Sequence, residues 1–446
     1  MTEVLVGPPP AAGERLLFSD FAALDPASGV RGRIDLRVED GKIVELAEGG
    51  ALSAQDGERV FSGRDGLLLL PAFFDPHVHL RVPGQEHKED LRSGTAAAAA
   101  GGFWAVLAMA NTAPPVDGVE LLEALRGRAR REAVVKVGFF AAVSKGLEGK
   151  ELVEMVGLRR AGAVGFSDDG KPVASARLLR DALLYQRLSG GVVALHEEDP
   201  DLAAGGGLRE GPTSVALGLA GIPAASESGM VARDLEVAAA VGGRLHLLHL
   251  STARSVALLE EAKGRGVAVS AEVTPHHLIL DEGELTSLDT GFKVNPPLGD
   301  EGDRRALVKA FKEGTIDCLA TDHAPHAAEE KEAPFELAPM GTIGLETAFA
   351  ALYTHLVVPG LVDLERVVEG LCCGAALYGL QPATLAVGAE ANLAVVDLKA
   401  QWVAGEGGWQ SKGASCCFAG RRLVGRVVAT LCAGHQVFDS REEGKR

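Results

Sequence analysis

The sequence predicts an α/β protein, a (β/α)8 TIM barrel carrying a small β-sandwich domain built from both chain ends. Two observations point there. Eight short apolar runs alternate with longer stretches of helical spacing, which is the rhythm of parallel strands joined by crossover helices. On either side of that region the rhythm turns β-rich, with short strands punctuated by Gly and Asp. A chain of 446 residues is long for one ordinary core, but barrels with insertions run from roughly 200 to over 400 residues.

The elements follow in order. Residues 1–14, with their Pro-rich GPPPAAGE, read as a flexible extension. Residues 15–66 supply the N-terminal part of the sandwich, in stretches such as LLFSDFAAL and IDLRVEDGKIVELA. The barrel is expected over 67–385, with its strands at LLLLPAFF (67–74), WAVLAM (104–109), VKVGFFAAV (135–143), AVGF (163–166), VVAL (192–195), RLHLLHL (244–250), VAVSAEV (267–273) and DCLA (317–320). Helical spacing is clearest over 118–133, 175–188 and 227–241, and TAAAAAGG reads as a close-packed helix end. Residues 386–446 return to β rhythm and supply the C-terminal part of the sandwich.

Hydrophobic residues make up 47% and charged residues 24% of the chain, a globular composition rather than a disordered one. The net charge of −17 argues against nucleic acid or an anionic membrane as partner. An anionic small-molecule substrate would need positive charge gathered locally. The N-terminus lacks a secretory pattern, and no apolar run reaches the roughly 20 residues that span a bilayer. Six cysteines show neither CxxC spacing nor scaffold density, so a reduced, cytoplasmic location is expected.

The chemistry collects just after the barrel strands, at the end of a TIM barrel where active sites form. In DPHVHLRVPG, His77 and His79 stand two apart and share a face if the segment is extended. An HxH alone is a weak signal. Asp169 in GFSDDG, His196 in VVALHEED, His249 in LHLLHLST and Asp322 in CLATDHAPH follow strands four, five, six and eight. Four imidazoles and a bridging carboxylate can hold two metal ions about 3.5–4 Å apart, with a further Asp beside the water between them. Strand parity turns His246 away from His249 and His323 away from Asp322, toward packing roles. His276 and His277 follow strand seven and could support the site from behind, while His87, His355 and His435 read as ordinary.

With these motifs in place, the chain resembles the bacterial dihydroorotases of the multi-domain type, within the amidohydrolase superfamily. The likeness runs from about residue 15 to 440, strongest in DPHVHLRVPGQEHKEDLRSGTAAAAAGGF, FSDDGKPV, AEVTPHHL, FKVNPPL, IDCLATDHAPH and GTIGLETAFAALYTHL (341–356). The resemblance implies two zinc ions per subunit, one held by His77, His79 and Asp322 and the other by His196 and His249. Asp169 and a hydroxide would bridge them. It also implies substrate contacts at His79, Arg81, Asn111, Asn295 and His326 and at the backbone of Met340 and Gly341. Asp322 would act as general base and then acid in the reversible cyclisation of N-carbamoyl-L-aspartate to L-dihydroorotate, a step of de novo pyrimidine biosynthesis.

Related hydantoinases and allantoinases place a carbamylated lysine near the end of strand four, whereas this chain reads FSDDG there with no lysine before Lys171. A dihydropyrimidinase, hydantoinase or allantoinase activity is the enzymatic alternative. A non-catalytic dihydroorotase-like scaffold for aspartate transcarbamoylase is the other. A homo-oligomer, or a complex with that enzyme, is expected. The chain departs from the family pattern around strand two, where GGxTT and MPNT are replaced by GGFWAV and MANT, so Trp104, Ala105 and Ala110 stand in unusual places. The stretch HAPHAAEEKEAPFELAPMG (323–341) is long for a connection, and is expected to close over substrate with His326 at its base.

Overall fold

The computed structural model describes residues 3–63 and 66–440. Residues 1–2 of the expected extension, 64–65 before the barrel and 441–446 of the C-terminal part lie outside the described residues. Eight parallel strands lie side by side in chain order: Phe73–Val78, Phe103–Ala108, Lys136–Ala141, Ala163–Phe166, Val193–Leu195, Leu245–Leu247, Val269–Val273 and Cys318–Leu319. A parallel bridge between Val78 and His323 joins the eighth strand to the first. His79 N donates to His323 O there, at 2.8 Å. The strands are short and almost wholly buried, as parallel strands covered on both faces must be.

Helices Val119–Glu132, Ala176–Ser189 and Ala224–Val241 occupy the three stretches that helical spacing marks. The alanine run forms Leu91–Ala100, packed against the second strand, and both glycines that follow it are sterically required. A Cβ on Gly101 would lie 2.1 Å from Leu345 O, and Gly102 has φ +90° with Phe73 2.9 Å from where its Cβ would stand. No described helix is long and apolar enough to cross a membrane. All six cysteines are free.

The chain ends combine into a second sheet with its own core, formed by residues such as Phe18, Phe21, Leu36, Leu69, Leu393 and Leu431. Its order is His435–Asp439, Arg422–Cys432, Leu393–Val403, Leu68–Pro71, Arg15–Asp25, Val30–Glu39, Lys42–Glu48, with Arg59–Ser62 paired to Arg15–Asp25. Two expectations change. The run 67–74 is divided between the sheets: Ala72 N donates to Asn392 O (3.0 Å), whereas Phe73 N donates to Gly102 O (2.8 Å). Both sides of that divide are apolar, so periodicity cannot register the change of sheet. The described part of the N-terminal segment is not loose either. Val6 exchanges two backbone hydrogen bonds with Val137 (2.9 and 2.7 Å), and Leu5, Val6 and Ala11 are buried.

Candidate functional site

The six candidate ligands converge at one end of the barrel, and all are buried. His77 is the next-to-last residue of the first strand, and its Nε2 lies 3.6 Å from Asp169 Oδ2 and 3.5 Å from Asp322 Oδ1. His79 Nε2 is 3.1 Å from Asp322 Oδ1 and 3.4 Å from Asp169 Oδ2. On the other side of Asp169, its Oδ1 lies 3.7 Å from His196 Nδ1 and 3.6 Å from His249 Nε2. Those two imidazole nitrogens face each other at 3.1 Å. His249 and Asp322 have φ of +28° and +47°, strained values that cost about 1–3 kcal/mol each and persist only where the surroundings hold them.

This donor set fits a metal cation. His77 Nε2 and Asp169 Oδ1 are buried without a hydrogen-bond partner, which is costly for polar atoms unless something else satisfies them. Burial opposes a charge on His77, yet Asp169, Asp322 and Glu272 together raise its pKa well above the ordinary value, so the local field favours a positive charge there. Burial likewise opposes ionisation of Asp322, and the imidazoles of His77 and His79 hold it well below the usual carboxylate range. The ligand atoms of His77, His79 and Asp322 lie within 4.8 Å of one another, as do those of His77, Asp169 and His249; His196 belongs to neither group. Imidazole nitrogen with carboxylate oxygen is the ligand chemistry of zinc and its neighbours.

Asp168 is directed elsewhere: it accepts from the backbone of Val143 (2.7 Å) and Ser144 (3.1 Å) and from the Ser144 hydroxyl. Lys171 is exposed. Asn111 sits against the candidate ligands, with Oδ1 3.0 Å from His79 Nδ1 and Nδ2 donating to Asp169 Oδ2 at 3.3 Å. Trp104 packs instead toward Phe74 and Lys136. Asn295 Nδ2 lies 3.2 Å from His196 Nε2, and its buried Oδ1 has no partner.

The remaining candidates form a cationic corner. Arg81 donates from Nε to Pro325 O (3.0 Å), and its Nη2 is 3.4 Å from His326 Nε2. His326 donates through Nε2 to Met340 O at 2.9 Å. Burial, with Arg81 and Lys88 adding to it, pushes the His326 pKa down to about 3, so the ring is neutral. Gly341 N donates to Lys293 O at 2.8 Å, and its φ of +140° suits a residue whose Cβ would lie 2.7 Å from Ala324 O.

Sequence reasoning passed over Glu272, which lies behind the site. Its Oε1 is 2.7 Å from His77 Nδ1 and its Oε2 3.0 Å from His246 Nε2, and it accepts from the His249 backbone at 3.4 Å. Burial opposes its charge, but His77 and His246 bring its pKa to about 2. Asp75 does similar work one turn of the pleat before His77, bonded to His77 N (3.1 Å) and Thr321 Oγ1 (2.5 Å). The signal was present: a carboxylate inside an apolar parallel strand must have partners. His323 is turned to Glu89 (3.2 Å), and His277 to Thr274 and Pro296 O (2.9 Å), while His276 Nε2 is buried without a partner. A cleft of about 1250 Å³ beside Asp90, Trp402 and Lys412 contains none of the candidate ligands.

Comparison with known proteins finds relatives along nearly the whole chain. A family model described as Dihydro-orotase-like matches residues 66–255. The chain is similar to a dihydroorotase of Anaeromyxobacter dehalogenans, 44% identical over 95% of this chain and 96% of that one. It is also similar to one of Pelotomaculum thermopropionicum, 43% identical over 96% and 99%. Among solved structures it superimposes on an L-hydantoinase of Arthrobacter aurescens with TM-score 0.85 at 24% identity, covering 95% and 96% of the two chains. That likeness bears on the fold alone.

Proposed function

The chain belongs to the dihydroorotase family, and from that premise we propose that it interconverts N-carbamoyl-L-aspartate and L-dihydroorotate in pyrimidine synthesis, using two zinc ions. The observation that carries this reading is the convergence of His77, His79, Asp169, His196, His249 and Asp322 beside the Arg81–His326 corner. His77, His79 and Asp322 would hold one ion, His196 and His249 the other, with Asp169 shared. Bound there, the pair would supply Lewis acidity, making water acidic enough to attack near neutral pH and a carbonyl more electrophilic.

The chain's own groups do the rest. In the hydrolytic direction the oxygen of a water adds to the ring amide carbonyl and the C–N bond breaks. Asp322 accepts the proton from that water and returns it to the departing ring nitrogen. Cyclisation follows the same path in reverse. Arg81 offers a planar fork to the substrate carboxylate, which supplies cationic recognition in an acidic protein. Asn111 and Asn295, each bonded to a candidate ligand, would orient the ring amide. Arg81 also favours dihydroorotate over dihydrouracil or hydantoin, which carry no carboxylate. Six unpaired cysteines suit a cytoplasmic enzyme.

The test is metal content measured with hydrolysis of dihydroorotate, dihydrouracil and hydantoin by the purified protein. Zinc with preferential turnover of dihydroorotate is expected; preference for either uncharged ring would overturn the assignment. Asp322→Asn, fully metallated, should lose about 10²–10⁴ in rate.

A further inference from the structure

Two lysines near the site are buried. Lys293 and Lys331 are only 4% and 6% exposed. Burying an ammonium ion is costly unless it is paired, and lysines that deep are ordinarily matched by a carboxylate. Here main-chain carbonyls take that place. Lys293 Nζ donates to Phe335 O (2.6 Å) and Glu336 O (3.1 Å). Lys331 Nζ donates to Pro339 O and Gly341 O (both 2.9 Å), with Lys293 O at 3.5 Å. Every one of the accepting carbonyls outside Lys293 lies between Phe335 and Gly341.

We propose that Lys293 and Lys331 are positioning residues, a two-lysine clasp that fastens the Phe335–Gly341 main chain and so fixes where Met340 and Gly341 meet the substrate. The geometry is reciprocal. Lys293 accepts Gly341 N–H through its own carbonyl while its side chain holds the start of the segment, and Lys331 holds the end. Thr290 Oγ1 donates to Lys331 O at 2.5 Å, anchoring the second lysine in turn. Lys293 lies two residues before Asn295, so the clasp ties the connection after strand eight to the one after strand seven. The substrate's identity rests on the dihydroorotase reading; the clasp does not.

Hydrogen–deuterium exchange on the full-length, metal-loaded protein decides it, with Lys331→Met and Lys331→Arg beside the wild type. In Lys331→Met, amides of 335–341 should exchange about ten- to a hundredfold faster, the factor carried by one lost hydrogen bond to a charged group. Amides of the barrel strands should be unchanged, and Lys331→Arg should restore much of the protection. KM for dihydroorotate should rise about tenfold with kcat little altered, the pattern of lost binding rather than lost chemistry. Lys293→Met, read the same way, replaces Lys331→Met if that variant does not fold. Unchanged exchange over 335–341, or faster exchange throughout the barrel, would overturn the clasp. A loosened segment with KM unchanged would overturn its role in positioning. A wild type inactive on dihydroorotate would instead fail the proposed function, with exchange still deciding the clasp.

Discussion

An imidazole can present either ring nitrogen to a metal, and at His77 the choice falls to Glu272. With that carboxylate ionised at 2.7 Å, Nδ1 keeps a proton, and Nε2, which faces Asp169 and Asp322, is the nitrogen that would give up its proton and offer a lone pair to a metal. Groups that orient a metal-binding histidine in this way typically govern affinity by about 10–100-fold. Glu272→Gln should weaken zinc binding by about that factor, read by competition with a chelator; equal affinity would remove Glu272 from this role. The adjacent aspartates give a sharper contrast. Asp169→Ala should lose metal, while Asp168→Ala, whose wild-type carboxylate is spent on Val143 and Ser144, should keep it. Metal loss in both to the same degree would reverse that assignment. The six candidate ligands could be found in the sequence because each lies at or just beyond the C-terminal end of a strand, where barrel geometry gathers side chains. Glu272 carried only the signal of a carboxylate within an apolar strand, and its partner His77, 195 residues away, lies on a strand with which its own does not pair.

At the scale of the element, helix Leu91–Ala100 shows how local chemistry sets a boundary that composition only hints at. Asp90 accepts from Ser93 N at 2.8 Å, and Asp90 N donates to Ser93 Oγ at 3.2 Å, closing a capping box at the end that faces the site. Partial burial opposes the Asp90 charge, but Lys412 and the Ser93 bonds bring its pKa to about 2. A folded-state pKa below the unfolded value means that the stabilisation is complete above roughly pH 4 and is lost as pH falls through about 2. Asp90→Ala should therefore cost about 1 kcal/mol at neutral pH. The gap between the two melting curves should narrow from pH 4 to pH 2; a gap independent of pH would place the effect in packing rather than in the cap. The alanine run and its two glycines were readable as a tight helix end. The split of LLLLPAFF was not, because hydrogen-bond partners rather than side-chain pattern decide which sheet a residue joins.

On the scale of the whole molecule, the barrel and the second sheet share a covalent seam at Ala72–Phe73. Leu68–Pro71 lies in the middle of the second sheet, flanked on one side by Arg15–Asp25 and on the other by Leu393–Val403. Residues from the start of the chain can cover only one of its edges. A chain ending at residue 385 should therefore expose a strand edge and the apolar face formed by Phe18, Leu36 and Leu69. It should be recovered mainly as aggregate, or with residues 15–62 open to protease; a monomeric, protease-resistant product would show that the C-terminal strands are dispensable. During translation the first sixty-odd residues emerge well before their last partners, and wait while the entire barrel is made. Slow ribosomes or scarce chaperones would lengthen that interval and add to the hazard, so yield in a cell should depend on the tempo of synthesis as well as on the stability of the finished protein.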